Sequence, residues 1–169
     1  MNRRQVIGIG VAGVLTATLV SGCKTSSDDG GGGSTSAPAV SVLTGKPGAA
    51  GRVLAVKIDN VSQARPQTGL NNADLVYGIE VEGGLSRLMA VYDSNNLPPT
   101  VGPVRSARET DLQLLAEYDH PALAFSGAQS QLLPVLKSSS ELVAVTGTSA
   151  FYRDSDRAAP HNEYLHTKG

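Results

Sequence analysis

Residues 75–92 read LVYGIEVEGGLSRLMAVY. Two alternating runs, Leu75–Glu82 and Leu85–Tyr92, flank Gly83-Gly84. Alternation with period two marks strands with one covered face. A two-glycine linker suits the positive-φ backbone of a two-residue hairpin turn. That turn implies a register: Glu82 opposite Leu85, Glu80 opposite Arg87, Gly78 opposite Met89, Val76 opposite Val91. Leu75, Tyr77, Ile79, Val81, Leu88, Ala90 and Tyr92 then form the core face. Glu80, Glu82 and Arg87 cluster on the other face near the turn, since a one-residue slip would bury the charges.

Upstream, Val53–Asp59 reads as a strand, with Leu54, Val56 and Ile58 on an apolar face and an opposite face that turns polar at Lys57 and Asp59. Val61–Asn72 is a loop with Arg65-Pro66. Downstream, Ser94–Val104 is a proline-bearing loop, and Ala107–Glu117 is a helix. Ser106 and Glu109 have capping-box spacing, which makes Ser106 the expected N-cap. Ala122–Ser126 and Leu142–Thr146 are short apolar strands around a helical Gln129–Lys137, where Pro134 is unfavourable. Strand, helix and strand over this length imply a right-handed parallel crossover. Phe151–His161 is loop-like and charged, and no terminating strand is expected after it. The fold class is α+β (mixed α/β): a sheet with a Gly-Gly hairpin and a βαβ crossover, with helices packed on it.

The N-terminus carries a different signal. Arg3 and Arg4 precede Val6–Val20, an uncharged apolar run that ends in Val20-Ser21-Gly22-Cys23. At roughly 15 residues the run matches a signal-peptide core and falls short of the ~20 a spanning helix needs. The terminal four residues resemble a lipobox, in which the cysteine is lipidated and the peptide is cut before it. Two acyl chains give stable anchoring. An uncleaved anchor is the plainer alternative, and Arg3-Arg4-Gln5-Val6-Ile7 also resembles a twin-arginine export signal. Residues 1–22 are thus expected to be a signal peptide, 23–41 a flexible Gly/Ser-rich tether that cannot offset its ordering entropy, and 42–169 one globular domain.

The chain has 169 residues, 14 Lys+Arg against 15 Asp+Glu, and a single Cys. Balanced charge argues against nucleic-acid binding, which needs a concentrated positive field. One cysteine excludes an internal disulfide and any multi-thiolate metal site. No phosphate loop, dinucleotide fingerprint or zinc-protease helix is present. Ser126 lacks the flanking glycines of a nucleophile elbow, because Ala124 and Ala128 stand there. No cofactor or metal is expected.

The candidate chemistry is polar and scattered. Arg105 and Arg108 flank the expected helix start, where free N–H groups and two guanidiniums could hold an anion. Ordinary surface pairing with Glu109 or Asp111 is the simpler alternative. Glu80 and Glu82, about 7 Å apart on one strand face, could act as acid and base on a glycan or bind a hard cation. A cross-strand Glu80–Arg87 pair is the alternative. His161 could be a general base, or a structural histidine.

Several blocks in order resemble one family. They are Leu43-Thr44-Gly45, Lys57-Ile58-Asp59-Asn60, Ala64-Arg65-Pro66-Gln67, Ala73-Asp74-Leu75-Val76-Tyr77, Val81-Glu82-Gly83-Gly84-Leu85-Ser86-Arg87, Gly102-Pro103-Val104-Arg105-Ser106-Ala107-Arg108, Phe151-Tyr152-Arg153-Asp154 and Ala159-Pro160-His161-Asn162. Behind a lipobox, this resembles the YerB-like family of bacterial lipoproteins, domain of unknown function 3048, in its N-terminal part. Ser86 stands where threonine is expected. The resemblance implies a lipid-anchored, mixed α/β extracytoplasmic domain and no reaction. It also implies that Asp59, Arg65, Glu82, Arg87, Arg105, Arg108, Arg153 and His161 contribute to one ligand site. Family members resemble two-domain proteins, so the domain here is expected to be truncated at its C-terminal end.

The leading functional expectation is a non-catalytic cell-envelope protein, membrane-bound through lipidated Cys23 at the extracytoplasmic face. Its expected partner is a cell-wall fragment or a membrane-bound wall-synthesis protein. The alternative is an envelope hydrolase of glycan or phosphate ester, working through Glu80/Glu82, Arg105/Arg108 and His161.

Overall fold

The computed structural model describes residues 40–41, 43–48 and 51–168. The signal segment, the lipobox and nearly all of the tether lie outside the described residues. Among the described residues the strands are β1 Val53–Asp59, β2 Leu75–Glu80, β3 Ser86–Asp93, β4 Thr100–Val101, β5 Ala122–Ala124, β6 Val143–Val145, β7 Phe151–Arg153 and β8 Glu163–His166. The α-helices are α1 Glu109–Leu115 and α2 Leu132–Ser138. No described helix is long and apolar enough to cross a membrane.

One sheet has the order β2-β3-β1-β5-β6, and a second has the order β4-β8-β7. β1 pairs antiparallel with β3 and parallel with β5, and β5 pairs parallel with β6. The β5–α2–β6 segment is therefore the expected parallel crossover. Pro134 lies in the first turn of α2, where its missing N–H has no intrahelical partner to lose.

The centre of the larger sheet, β3, β1 and β5, is covered on both faces. On one, Ala55, Met89, Val91, Leu123 and Phe125 pack with Leu115 and Leu136 of the two helices. On the other, Val56, Ile58, Ala90, Tyr92 and Ala124 pack with Val101 and Leu165 of the smaller sheet. The result is three layers, helices, sheet and sheet, an α+β fold.

Double coverage explains the largest correction to the sequence reading. The hairpin register differs by one residue: Glu80 opposes Ser86, Ile79 opposes Arg87, Gly78 opposes Leu88 and Tyr77 opposes Met89. The connection is longer than two residues, with Val81 N–H donating to the Leu85 carbonyl at 2.8 Å around a 3-10 turn at Glu82–Gly84. Both glycines do take positive φ, +72° and +68°. A register is set by burial when only one face is covered. Here Met89, Ala90, Val91 and Tyr92 are buried in succession, so alternation could not choose. Arg87 thus shares the face of Ile79, and Glu80 lies on the opposite one.

Three further expectations are corrected. Helix α1 is capped at Arg108, not Ser106: residues 103–105 first run along β1, with Asp59 N–H donating to the Pro103 carbonyl and Arg105 N–H to the Lys57 carbonyl. Phe151–Arg153 is a strand rather than loop, and the described chain does carry a late strand, β8. These strands are too short, at three and four residues, to show a sequence period; pairing with each other creates them. Tyr164 of β8 lies so close to Gly102 that a Cβ there would come within 2.6 Å of its ring.

Candidate functional site

The parallel strands β1, β5 and β6 end on the same side of the sheet, which is where open α/β sheets gather ligand sites. β1 runs there into Asp59 and Asn60. Asp59 is buried, and its Oδ2 receives His161 Nδ1 at 2.7 Å. Arg105 Nε lies 3.0 Å from the same oxygen as an ion pair, misaligned for a hydrogen bond. Asn60 organises the following loop. Its Oδ1 accepts from Arg65 Nη2 and Gln67 Nε2, both at 3.2 Å, and its Nδ2 donates to Ser86 Oγ at 2.8 Å. Arg157 Nη2 donates to the Pro66 carbonyl at 2.8 Å, tying the loop before His161 to this one.

Between these loops and the hairpin connection lies a cleft of about 600 Å³, within the ~300–1,000 Å³ usual for ligand sites. Asn60, Ser62, Gln63, Arg65, Ser86 and His161 supply its polar lining, with Val61 and Leu85 as apolar patches.

A second cluster adjoins it. Glu82 is held by Arg108 through two bonds of 2.8 Å, from Nε and Nη2. This bidentate contact pulls the Glu82 carboxyl down to about 2. Arg87 Nη1 donates to the Ser106 carbonyl at 2.8 Å. Its pKa is lowered by burial first, then by the charges of Arg108 and Arg105. Beneath lies Lys57, whose Nζ meets Asp111 Oδ1 at 2.6 Å with both side chains fully buried. Burial lowers the Lys57 pKa against the pull of Asp111, and Arg87 and Arg108 add to the lowering. The other Asp111 oxygen accepts the Arg108 backbone N–H at 2.7 Å.

Of the residues expected to form one site, Asp59, Arg65, Arg105 and His161 meet at or beside the cleft. Glu82, Arg87 and Arg108 form the adjoining charged cluster. Arg153 stands apart, bonded to Asn162 at 2.8 Å and 3.6 Å from Glu163 in the smaller sheet. Glu80 lies opposite Ser86 on the sheet face away from Arg87 and makes no ion pair among the described residues. Lys57 and Asn60 were not singled out from the sequence as site residues, and Asp111 only as a surface partner of Arg108. A lysine inside an otherwise apolar strand was the available signal for the first, because such a group is buried only with a partner.

The fold and cleft define an α+β module with a polar cleft at the carboxyl ends of its parallel strands. Residues 43–169 match the family model "Protein of unknown function (DUF3048) N-terminal domain", and the chain belongs to that family. It is 37% identical over 116 residues to "Putative lipoprotein YerB" of Bacillus subtilis (strain 168). It is also similar to the crystal structure of the YerB protein from Bacillus subtilis, with TM-score 0.68 and 32% identity over 75% of this chain. The chain spans 34% of the curated relative and 46% of the crystallised chain, while 67% of its own length enters the first match.

Proposed function

We propose that the chain is a lipid-anchored protein of the cell envelope, held at the extracytoplasmic face through Cys23, whose domain binds its ligand without transforming it. The Arg3–Cys23 signal and the lipoprotein name of the relative support the anchor. The pairing of the site's acids with basic side chains is the observation that carries the binding role. Asp59 is taken by His161 and Arg105, Glu82 by Arg108, and Asp111 by Lys57. A carboxyl drawn down to about 2 has no proton to give near neutrality, and Glu80 lies on the opposite sheet face from Arg87. The hydrolase alternative built on Glu80 and Glu82 keeps a base in His161, held by Asp59, and lacks a carboxyl poised to donate a proton, which favours the binding role. The ligand is a cell-wall fragment, or a membrane-bound wall-synthesis protein that presents one.

The lipidated chain, immobilised in detergent, is expected to retain muropeptides from digested wall material without altering their mass. Retention of neither muropeptides nor envelope proteins refutes the binding role, and release of shortened products restores a catalytic one. A Cys23→Ala chain is expected to leave the membrane fraction.

A further inference from the structure

The cleft beside His161 has an uneven set of unused hydrogen-bonding groups, and that set describes its ligand. This step rests on the reading of the cleft as the ligand site. Asn60 is spent on Arg65, Gln67 and Ser86. Ser86 accepts from Asn60, so its hydroxyl proton is free to donate. Gln63 accepts from Ser62 at 3.0 Å through Oε1, which leaves its NH2 group. Arg65 uses Nη2 on Asn60, at 3.0 Å from the carbonyl and 3.2 Å from Oδ1. Its Nε and Nη1 make no hydrogen bond to a described residue.

His161 supplies the opposite polarity. A carboxylate can only accept, so the Nδ1 that meets Asp59 is the ring's donor. In the neutral ring Nε2 is then a bare acceptor. A carboxylate behind a histidine also supports metal ligands, but among the described residues no three ligand-type side chains converge. Nε2 is left to take a hydrogen bond from a ligand hydroxyl or amide.

Three free donors therefore line the cleft, with His161 Nε2 and the Ser62 oxygen as acceptors, one donor being a guanidinium suited to a two-pronged acid. Leu85, 52% exposed, adds an apolar patch. A bare anion would leave His161 and Leu85 unused. A neutral sugar would leave Arg65 unused. The lining holds no Phe, Tyr or Trp ring for a nucleobase to stack on. We infer that the cleft takes an acidic sugar, a pyranose bearing a carboxylate or a phosphate. Arg65 holds the acid, His161 Nε2 accepts a hydroxyl or amide hydrogen, and Leu85 lies against the C–H face of the ring.

The test is calorimetric titration of the full chain in detergent with N-acetylmuramic acid, with N-acetylglucosamine (the same ring without the lactyl acid), with N-acetylglucosamine 1-phosphate, with inorganic phosphate and with unfractionated muropeptides. At least one acidic sugar is expected to bind about ten-fold or more tighter than the neutral one, a gap of ~1.4 kcal/mol. Which acidic sugar wins identifies carboxylate or phosphate as the source of the charge. Exposed Arg65→Gln is expected to erase that gap without moving the thermal midpoint, and His161→Phe to weaken acidic and neutral sugars alike. Equal binding of the acidic and neutral sugars overturns the inference, as does inorganic phosphate binding as tightly as the sugar acids. Muropeptide binding without binding of either acidic sugar overturns it and leaves the cleft reading intact. Absence of all binding removes both.

Discussion

Two ion pairs converge on Arg108, and they differ in almost every physical respect. Asp111 accepts the backbone N–H of Arg108 and meets Lys57 in a fully buried pair. Glu82 grips the guanidinium of the same arginine, with its own side chain 58% exposed. The exposed pair has the better geometry, two parallel bonds against one contact. The buried pair nevertheless matters more when broken, because a charge left without a partner away from water costs several kcal/mol. Solvent takes over for an exposed partner. The buried pair is thus part of how the chain folds, and the exposed pair is part of how the hairpin and the arginine segment are held at the edge of the site.

Removing one side of the buried pair is the strongest way to test that contrast. Lys57→Met strands the Asp111 charge and is expected to cost roughly 3–5 kcal/mol, read as a lowered urea midpoint. Lys57→Met with Asp111→Leu is expected to recover most of it, short of the ~1 kcal/mol that a helix cap contributes. If the double variant is no more stable than the single one, the stranded charge is not the cause.

A packing change upstream of both pairs comes next. Gly102 lies under the Tyr164 ring, and the segment from Pro103 to Arg108 follows directly. Gly102→Ala forces ring and backbone apart, and overpacking of this kind costs about 1–3 kcal/mol. Hydrogen exchange is expected to show the Arg105 and Asp59 amides losing protection together, since each bonds across the same strand junction. Unchanged protection there would separate the smaller sheet from the arginine segment.

The exposed pair is expected to give the smallest effect. The Glu82 carboxyl is lowered from its ordinary 4.5 to about 2 in the folded chain. A depressed carboxyl contributes stability that is present above the unfolded value and lost as pH falls through the folded one. Its share is therefore complete above about 4.5 and gone below about 2. Glu82→Gln is expected to flatten the acid limb of the stability profile across that window and to lower neutral stability by the same amount, kept small by solvent screening. A carbon-detected titration that placed Glu82 near 4.5 would show that the Arg108 contact does not persist in solution.

The legibility of the fold follows the same division between local and distant causes. β1, the βαβ crossover and the strand content of residues 75–92 could be read because period and turn residues lie within a few positions of each other. The register of that hairpin could not. Both faces of β3 are buried, so alternation lost its meaning, and only the packing of helices on one side and the smaller sheet on the other set the pairing. β7 and β8 were missed for a related reason: each exists through its partner rather than through its own residues. In the site, Asp59, Arg65, Arg105 and His161 stood out as polar residues in the motif blocks. Their meeting depends on 102 residues of separation between Asp59 and His161, which no local pattern encodes.

The sequence by itself determined the family, the α+β class and the short list of charged residues, since these rest on composition, local spacing and ordered motifs. Only the tertiary structure decided which charges neutralise one another, that Lys57 is buried on Asp111, that Glu80 and Arg87 lie on opposite faces, and that an oriented histidine lines a polar cleft. Electrostatic partnership depends on distance and solvent access, and both are properties of the packed chain.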